Sequence, residues 1–388
     1  MLITYGDRQM WTRRFPDAGG WPRTRIAEML DLRYPIIQGP FGGGLSSVAL
    51  VSAVSDAGGL GSFGAHHLQP GEIVALATQL RKATKSPFAI NLWVSTHDVA
   101  EAEMTRERFA KAVDRLSPLY EELAVTPPHY PDRFSETFQE QVEAVIAAAP
   151  RALSFVFGIP GHDVLQACRE RGIVTIGTAI TPDEALALDE AGVDVIVASG
   201  SEAGGHRGAF LANAEDSLVG TMALVRVVAE EVRTPVVAAG GIADARGIAA
   251  AFMLGAEGVQ IGTAFLATEE SGATPEHRAL LFSRAARQTQ LTRAFSGRLA
   301  RGIPNRPMSE LAECAAIEPY PYQGYLLKPV VDAARGQGRT DLYSLWSGQA
   351  APLLRHHHAG ELFEALIDGT DHLLAGGPTG VEPAIPDA

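Results

Sequence analysis

One histidine of this chain lies in a glycine-rich stretch that directly follows an apolar run. The run Val193-Asp-Val-Ile-Val197 leads into Ala198-Ser-Gly-Ser-Glu-Ala-Gly-Gly-His-Arg-Gly208, where His206 is the histidine. Because Gly204 and Gly205 have no Cβ, a flat or anionic ligand can approach their backbone amides closely. An imidazole also exchanges a proton near neutral pH. The stretch therefore predicts a ligand-binding loop with His206 as its acid–base group, although a plain glycine-rich turn is the simpler alternative.

A second pair of glycine-rich segments indicates a phosphate site. Ala239-Gly-Gly-Ile-Ala-Asp244 and Gly262-Thr263 each follow an apolar run. In barrels of eight βα units, the loops after strands seven and eight frequently bind phosphate through backbone N–H groups. The glycines would leave those amides accessible and Thr263 adds a hydroxyl, whereas the alternative is that the glycines only permit a turn. Neither a P-loop nor an ordered GxGxxG motif occurs here, which favours the phosphate of a single nucleotide or a small metabolite.

The elements that must position these residues form a repeating pattern of short apolar runs and longer helical stretches. The predicted strands lie at 35–41, 60–65, 88–94, 153–158, 174–179, 193–200, 236–241 and 258–265. Alternation of this kind is typical of βα units on a parallel sheet, and eight strands favour a (β/α)8 TIM barrel over an open sheet. In such barrels ligands bind on the loops after the strand carboxyl ends, which is where His206 and the glycine pairs fall.

Two regions depart from this pattern and divide the chain. Residues 1–25 predict an N-terminal arm, and 26–265 plus 326–375 predict the barrel with a surface insertion at 95–150. The arginine-rich region 266–325 predicts a small cap inserted after strand eight. Residues 376–388, rich in glycine and proline, predict a flexible tail.

Composition excludes several classes of protein. The 388 residues are 46% hydrophobic and carry a formal net charge of −13, so no nucleic-acid or anionic-membrane surface is expected. Cys168 and Cys314 are the two cysteines, which argues against a disulfide framework or a cysteine-rich metal site and fits a reducing cytoplasm. The N-terminus lacks the pattern of a signal peptide, and no run approaches membrane-spanning length. We therefore expect a cytoplasmic enzyme with no metal site.

Several stretches, in order along the chain, resemble the nitronate monooxygenase (2-nitropropane dioxygenase) family. The resemblance extends from about Arg33 to Trp346. The stretches that carry it are Pro35-Ile-Ile-Gln-Gly-Pro40, Gly58-Gly-Leu-Gly61, Asn91-Leu92, Glu202-Ala-Gly-Gly-His-Arg-Gly208, Ala238-Ala-Gly-Gly-Ile242, Gly262-Thr-Ala-Phe-Leu266 and Ser296-Gly-Arg-Leu-Ala-Arg-Gly302. Each is weak alone, and their common order is specific.

The resemblance implies a (β/α)8 barrel that holds FMN non-covalently under a small second domain. It implies oxidation of alkyl nitronates, or of nitroalkanes, with O2 to a carbonyl compound and nitrite. The family's histidine matches His206, as a base or a substrate anchor, and Phe41 and Trp346 are assigned to the substrate. The residues assigned to the flavin are Gln38, Gly39, Pro40, Asn91, Ser199, Gly204, Gly205, Gly240, Gly241, Gly262 and Thr263.

Some questions stay open at this level. Many members of the family have methionine where this chain has Phe41 and glutamine where it has Ser199. These departures bear on the substrate and leave the cofactor assignment unchanged. Trp346 is as compatible with core packing as with the pocket. Two alternative functions are an FMN-dependent reductase that uses NAD(P)H on quinones or enoyl thioesters, and a flavin-binding module without turnover. A homodimer is one alternative for the oligomeric state.

Overall fold

Parallel strands form the centre of the protein, which a computed structural model describes at residues 20–95, 103–313 and 317–376. In these ranges eight strands hydrogen-bond in the order β1-β9-β8-β6-β5-β4-β3-β2. Their bounds are β1 Ile36–Gln38, β2 Gly61–Gly64, β3 Phe88–Trp93, β4 Ala152–Val156, β5 Val174–Ala179, β6 Val195–Ser199, β8 Val236–Ala239 and β9 Gly258–Ile261. Three further short strands, β7 Gly205–His206, β10 Gln290–Thr292 and β11 Ala300–Gly302, make a separate sheet.

The two ends of the eight-stranded sheet meet. Ile37 of β1 forms a parallel bridge with Leu60, immediately before β2. The Gln38 N–H donates to the Leu60 carbonyl, and the Leu60 N–H donates to the Ile36 carbonyl, each at 2.9 Å. A parallel sheet closed on itself with helices around it is a (β/α)8 TIM barrel. The predicted fold class is confirmed.

Helices surround the barrel and extend beyond it. The bounds are α1 Arg25–Leu30, α2 Val48–Asp56, α3 Pro70–Ala83, α4 Arg106–Glu122, α5 Phe138–Ala148, α6 His162–Glu170, α7 Pro182–Ala191, α8 Thr221–Glu231, α9 Ala245–Met253, α10 Thr263–Leu266, α11 Pro275–Leu281, α12 Arg306–Glu313, α13 Tyr322–Gly336 and α14 Ala359–Leu374. None of the described helices is both long and apolar enough to cross a bilayer.

Apolar residues pack in two places. One cluster fills the space between the sheet and the outer helices. The second lies inside the barrel, where alternating strand residues such as Ile37, Val195 and Val237 meet Ile26 and Leu30 of α1. Because a strand points successive side chains to opposite faces, each short apolar run can supply both clusters. Helix α1 thus covers the amino-terminal end of the barrel, opposite the end that carries the predicted site.

The predicted strands are correct in place but differ in length. The predicted strand at 258–265 ends at Ile261, and a helical turn begins at Thr263 instead. In that turn the Leu266 N–H donates to the Gly262 carbonyl at 3.0 Å, and Phe265 is fully buried. A short apolar run does not distinguish a buried strand from a buried helical turn, which explains the difference.

The regions outside the regular pattern have distinct positions. Within the predicted insertion at 95–150, α5 packs against α3 and β3 as the crossover to β4, whereas α4 contacts α13. Helix α14 packs against α9 and α2 in the outer wall. Helix α13, which lies mostly in the region 326–375 predicted as barrel, contacts α4, and its residues Lys328 and Arg335 line the cavity described below. Residues 1–19 of the predicted arm, 96–102 of the insertion and 377–388 of the tail lie outside the described residues.

Candidate active site

A cavity of about 520 Å³ opens at the carboxyl ends of the barrel strands. It contains thirteen of the fourteen residues assigned to the site: Gly39, Pro40, Phe41, Asn91, Ser199, Gly204, Gly205, His206, Gly240, Gly241, Gly262, Thr263 and Trp346. The exception is Gln38, which is fully buried at the end of β1 and does not line the cavity. Its Oε1 accepts the Ser62 N–H at 3.0 Å, and its side-chain amide donates to the Gly39 carbonyl. Gln38 therefore links β1 to β2 and to the first residue of the following loop, and it does not line the cavity.

His206 is held by the small antiparallel sheet. Strand β7 pairs with β11, with His206 opposite Ala300 and Gly205 opposite Arg301. The His206 Nε2 and the Ser296 Oγ share a hydrogen bond at 2.7 Å. The same hydroxyl accepts the backbone N–H of Arg298 at 3.2 Å. Backbone pairing and a side-chain partner from a distant segment together fix the imidazole in the cavity.

Burial keeps the His206 ring neutral. Desolvation lowers its pKa from the ordinary value near 6.5 to about 4, because the charged imidazolium loses its hydration inside the cavity. Trp93 and Trp346 contact the ring, with centroid distances of 4.9 Å and 5.3 Å. At neutral pH the ring therefore offers one N–H donor and one lone pair, and no positive charge.

The loop that carries His206 is fastened to the end of β6. The buried guanidinium of Arg207 donates to the carbonyls of Ser199 at 2.9 Å and Gly200 at 2.6 Å. Glu202 accepts the Thr221 N–H and hydroxyl at 2.9 Å, at the amino-terminal end of α8. The Thr221 hydroxyl also lies 2.9 Å from the Gly240 carbonyl oxygen, so its one hydrogen is shared between that oxygen and Glu202. These bonds couple the histidine loop to the glycine pair that follows β8.

The residue at position 240 must be glycine. Its φ is +97°, where side chains are strained, and a Cβ there would lie 3.0 Å from both the Gly200 carbonyl oxygen and the Thr221 hydroxyl. Gly262 and Thr263 lie on the next strand's loop, and the Thr263 hydroxyl accepts the Gly348 N–H at 2.9 Å. Three glycines and a threonine hydroxyl thus line one part of the cavity without side-chain bulk, a set of residues that is compatible with a phosphate.

Three aromatic rings that line the cavity surround Arg298, and none of the four residues was assigned to the site from the sequence. Arg298 is 5% exposed, and its guanidinium carbon lies 4.8 Å from the Trp93 ring centroid, 3.7 Å from that of Phe157 and 3.6 Å from that of Tyr320. Burial lowers the Arg298 pKa to about 9, so the group stays cationic at neutral pH. The stretch 296–302 carried a sequence signal through the family resemblance. Its partners come from β3, the end of β4 and residue 320, which only the fold brings together.

A second buried histidine links the site to pH-dependent stability. His277 on α11 is 1% exposed, and its Nε2 lies 3.1 Å from the Trp346 carbonyl oxygen. Burial is the main cause that lowers its pKa to about 4. Between the ordinary value and pH 4, the unfolded chain binds a proton that the folded chain does not. Stability is therefore lost as pH falls through this window, by about 3 kcal/mol at 1.36 kcal/mol per pKa unit.

We expect His277→Gln to remove this part of the acid sensitivity. Glutamine does not titrate, and its side-chain N–H can still donate to the Trp346 carbonyl. The unfolding free energy should fall less in the variant than in the parent, by about 3 kcal/mol, between about pH 7 and about pH 4. Urea titrations at both pH values measure the difference, with the exposed His162→Gln as control. Parallel losses in the parent and His277→Gln would show that His277 binds its proton as readily in the folded chain as in the unfolded chain.

One known protein family is similar to this chain over most of its length. The sequence profile of the nitronate monooxygenase family matches residues 23–369. A probable nitronate monooxygenase from Staphylococcus haemolyticus is 36% identical over 91% of this chain and 99% of its own length. Its counterpart from Staphylococcus saprophyticus is 37% identical over 90% of this chain and 98% of its own length.

Solved structures agree with the sequence matches. The nitroalkane oxidase from Streptomyces ansochromogenes superposes with a TM-score of 0.81 at 33% identity, over 90% of this chain and 99% of the other. FabK from Thermotoga maritima superposes with a TM-score of 0.71 at 26% identity, over 91% and 98% of the two chains. A profile match over most of the chain and identity above one third over the relatives' full length establish membership. The chain belongs to the nitronate monooxygenase family of flavin-dependent oxidoreductases.

Proposed function

We propose that this protein is an FMN-dependent enzyme that oxidises alkyl nitronates, or the parent nitroalkanes, with O2. The products are a carbonyl compound and nitrite. One O2 balances two nitronates: the C–N bond of each breaks, each carbon gains one oxygen atom, and two nitrite ions leave. The observation that supports this best is the neutral His206, hydrogen-bonded to Ser296 in a cavity that the glycine-rich loops after β8 and β9 also line. The names of the staphylococcal relatives and of the Streptomyces structure point to the same chemistry.

The residues present fit FMN. In this proposal the amides of Gly240, Gly241 and Gly262, with the Thr263 hydroxyl, bind the phosphate. The flavin ring lies among the remaining assigned residues, which are Gly39, Pro40, Asn91, Ser199, Gly204 and Gly205. When bound, the flavin supplies the redox chemistry, and the protein supplies binding, orientation and protons.

His206 then has one of two roles, which depend on the substrate. A nitronate is already an anion, so the neutral ring would orient it by hydrogen bonding. A neutral nitroalkane must first lose a proton from carbon, and the unprotonated ring can accept that proton. Phe41 and Trp346, which line the same cavity, would contact the alkyl chain.

Anaerobic mixing of the flavin-loaded protein with propyl 2-nitronate tests the proposal. We expect the flavin absorption to bleach, followed by nitrite release when air is admitted. The parallel experiment uses NADPH and NADH. Rapid bleaching by a nicotinamide, with none by the nitronate, would indicate the NAD(P)H-dependent reductase of quinones or enoyl thioesters. A flavin that neither reagent bleaches would indicate a binding module, and failure to bind any flavin would overturn all three interpretations.

A further inference from the structure

A second histidine, His66, faces the same cavity without a role in the proposed chemistry. It lies on the loop after β2 and lines the cavity. Its ring stacks on the Trp93 indole with a centroid distance of 3.7 Å and an angle of 5° between the planes. Trp93 is also the residue that His206 contacts at 4.9 Å, so both imidazoles are placed by one indole.

The position of His66 is fixed from two further directions. Buried Gln141 on α5 donates to the His66 carbonyl at 2.9 Å and to the Leu68 carbonyl at 2.8 Å. On the other side the ring lies against Gly42, where a Cβ would be 2.1 Å from the His66 Cε1. The loop backbone is therefore anchored, and the first loop has no side chain where the ring sits. This is a built position rather than a surface histidine.

The surroundings of the ring also fix its proton. The Nδ1 atom is buried and has no hydrogen-bond partner among the residues that the structure describes. Burial, and to a smaller extent the neighbouring His67, lowers the pKa of His66 well below its ordinary value. The ring is therefore neutral. A buried N–H without an acceptor is rarer and less favourable than an unpaired acceptor. The single proton of the neutral ring is therefore on Nε2.

The cavity around this donor favours an anionic oxygen as its partner. Two acids line the cavity, and both are engaged: Glu202 binds Thr221, and Asp332 forms an ion pair with Lys328 at 2.5 Å. A cationic donor also lines the cavity, the guanidinium of Arg335, which donates to the Gly43 carbonyl at 2.9 Å. A ligand oxygen therefore meets N–H groups in a largely apolar enclosure, where hydrogen bonds to charge are strong.

We propose that His66 donates its Nε2–H to an oxygen of the nitronate group, as a second substrate-binding histidine beside His206. This inference rests on the proposed function. The same donor would bind nitrite, which presents the same kind of oxygen, so its contribution can be measured without turnover.

Three substitutions at one position test the proposal. In His66→Gln the longer amide N–H can occupy the position of the histidine Nε2–H. In His66→Asn the shorter amide N–H occupies the position of Nδ1–H instead. His66→Phe keeps the aromatic ring on Trp93 but has no donor. We expect His66→Asn and His66→Phe to raise the nitronate KM and the nitrite dissociation constant by about 10- to 100-fold, with His66→Gln within about threefold of the parent. The exposed His162→Asn is the matched control, and flavin content with thermal unfolding checks that each variant is folded.

The nitrite titration, followed through the flavin spectrum, separates this inference from the proposed function. One outcome is that the parent protein fails to oxidise nitronates while His66→Asn binds nitrite more weakly than His66→Gln does. In that case the proposed function is wrong, and the assignment of His66 as a donor is still supported. If the folded, flavin-loaded His66→Phe binds nitrite as the parent does, or if Asn and Gln behave alike, the His66 donor is overturned.

Discussion

Replacing His206 by glutamine is expected to lower kcat/KM for a neutral nitroalkane by about 100- to 10,000-fold, the range that general base catalysis contributes. Glutamine can keep a hydrogen bond to the Ser296 hydroxyl, which lies 2.7 Å from the histidine Nε2, but it cannot accept a proton from carbon. For the matching nitronate, which needs no proton abstraction, we expect a loss within about tenfold. Steady-state kinetics on the two forms of one substrate measure both losses, and the flavin spectrum confirms that the cofactor is retained.

Ser296→Ala is the companion variant for this experiment. It removes the partner of the His206 Nε2 without removing the imidazole, so the nitroalkane activity should fall less than in His206→Gln. Equal losses on nitroalkane and nitronate in His206→Gln would contradict the base assignment and leave His206 as an anchor. Unchanged activity on both would remove His206 from the mechanism.

The pH dependence follows from the same burial. Because the His206 pKa is lowered to about 4, the neutral ring required for catalysis persists as pH falls through the ordinary histidine range. The acid limb of kcat/KM, which reports the free enzyme, should therefore lie near pH 4 in the parent. An acid limb near the unperturbed value of about 6.5 would show that the ring is hydrated in solution.

Local patterns in the sequence were enough to predict the barrel and to assign residues that the fold brings to one cavity. Strand ends followed by glycine mark the loops that carry His206 and Gly240, and in this fold all such loops meet at one end. That is why thirteen assigned residues line a single cavity. Each loop can be recognised from its own residues, and the barrel topology then brings the loops together at one end.

Contacts between distant segments could not be predicted in this way. Gln38 follows two buried isoleucines in a strand of three residues, which is too short for alternation to show which way its side chain points. Arg298 is one arginine of the arginine-rich region predicted as the cap, and its neighbours in sequence do not indicate that Trp93, Phe157 and Tyr320 surround it. His66 directly follows the predicted strand 60–65, but nothing near it in the sequence indicates Trp93, 27 positions away, on which its ring stacks.

A substitution at Gly240, in the proposed phosphate site, is expected to have the second large effect. In Gly240→Ala the new Cβ would lie 3.0 Å from the Gly200 carbonyl oxygen, on a backbone with φ of +97°. Either the loop moves or the turn is strained, and in both cases the amides no longer converge on the phosphate. We expect the FMN dissociation constant to rise by about 100-fold, which corresponds to about 2.7 kcal/mol. Quenching of FMN fluorescence on titration with the protein measures it.

Two comparisons make this prediction specific to the phosphate. Gly172→Ala, at the end of α6, also places alanine at a positive φ, of +67°, but its Cβ meets nothing within 4 Å, so it shares the backbone strain without the collision. It should bind FMN within about threefold of the parent, because left-handed strain alone costs about 1–2 kcal/mol of stability and leaves the proposed phosphate site intact. Riboflavin lacks the phosphate, and Gly240→Ala should therefore weaken FMN much more than riboflavin. If both flavins lose affinity equally, the substitution has closed the whole cavity and the phosphate is not bound at Gly240. If neither loses affinity, the phosphate lies on other loops, and the assignment of Gly240, Gly241, Gly262 and Thr263 fails together.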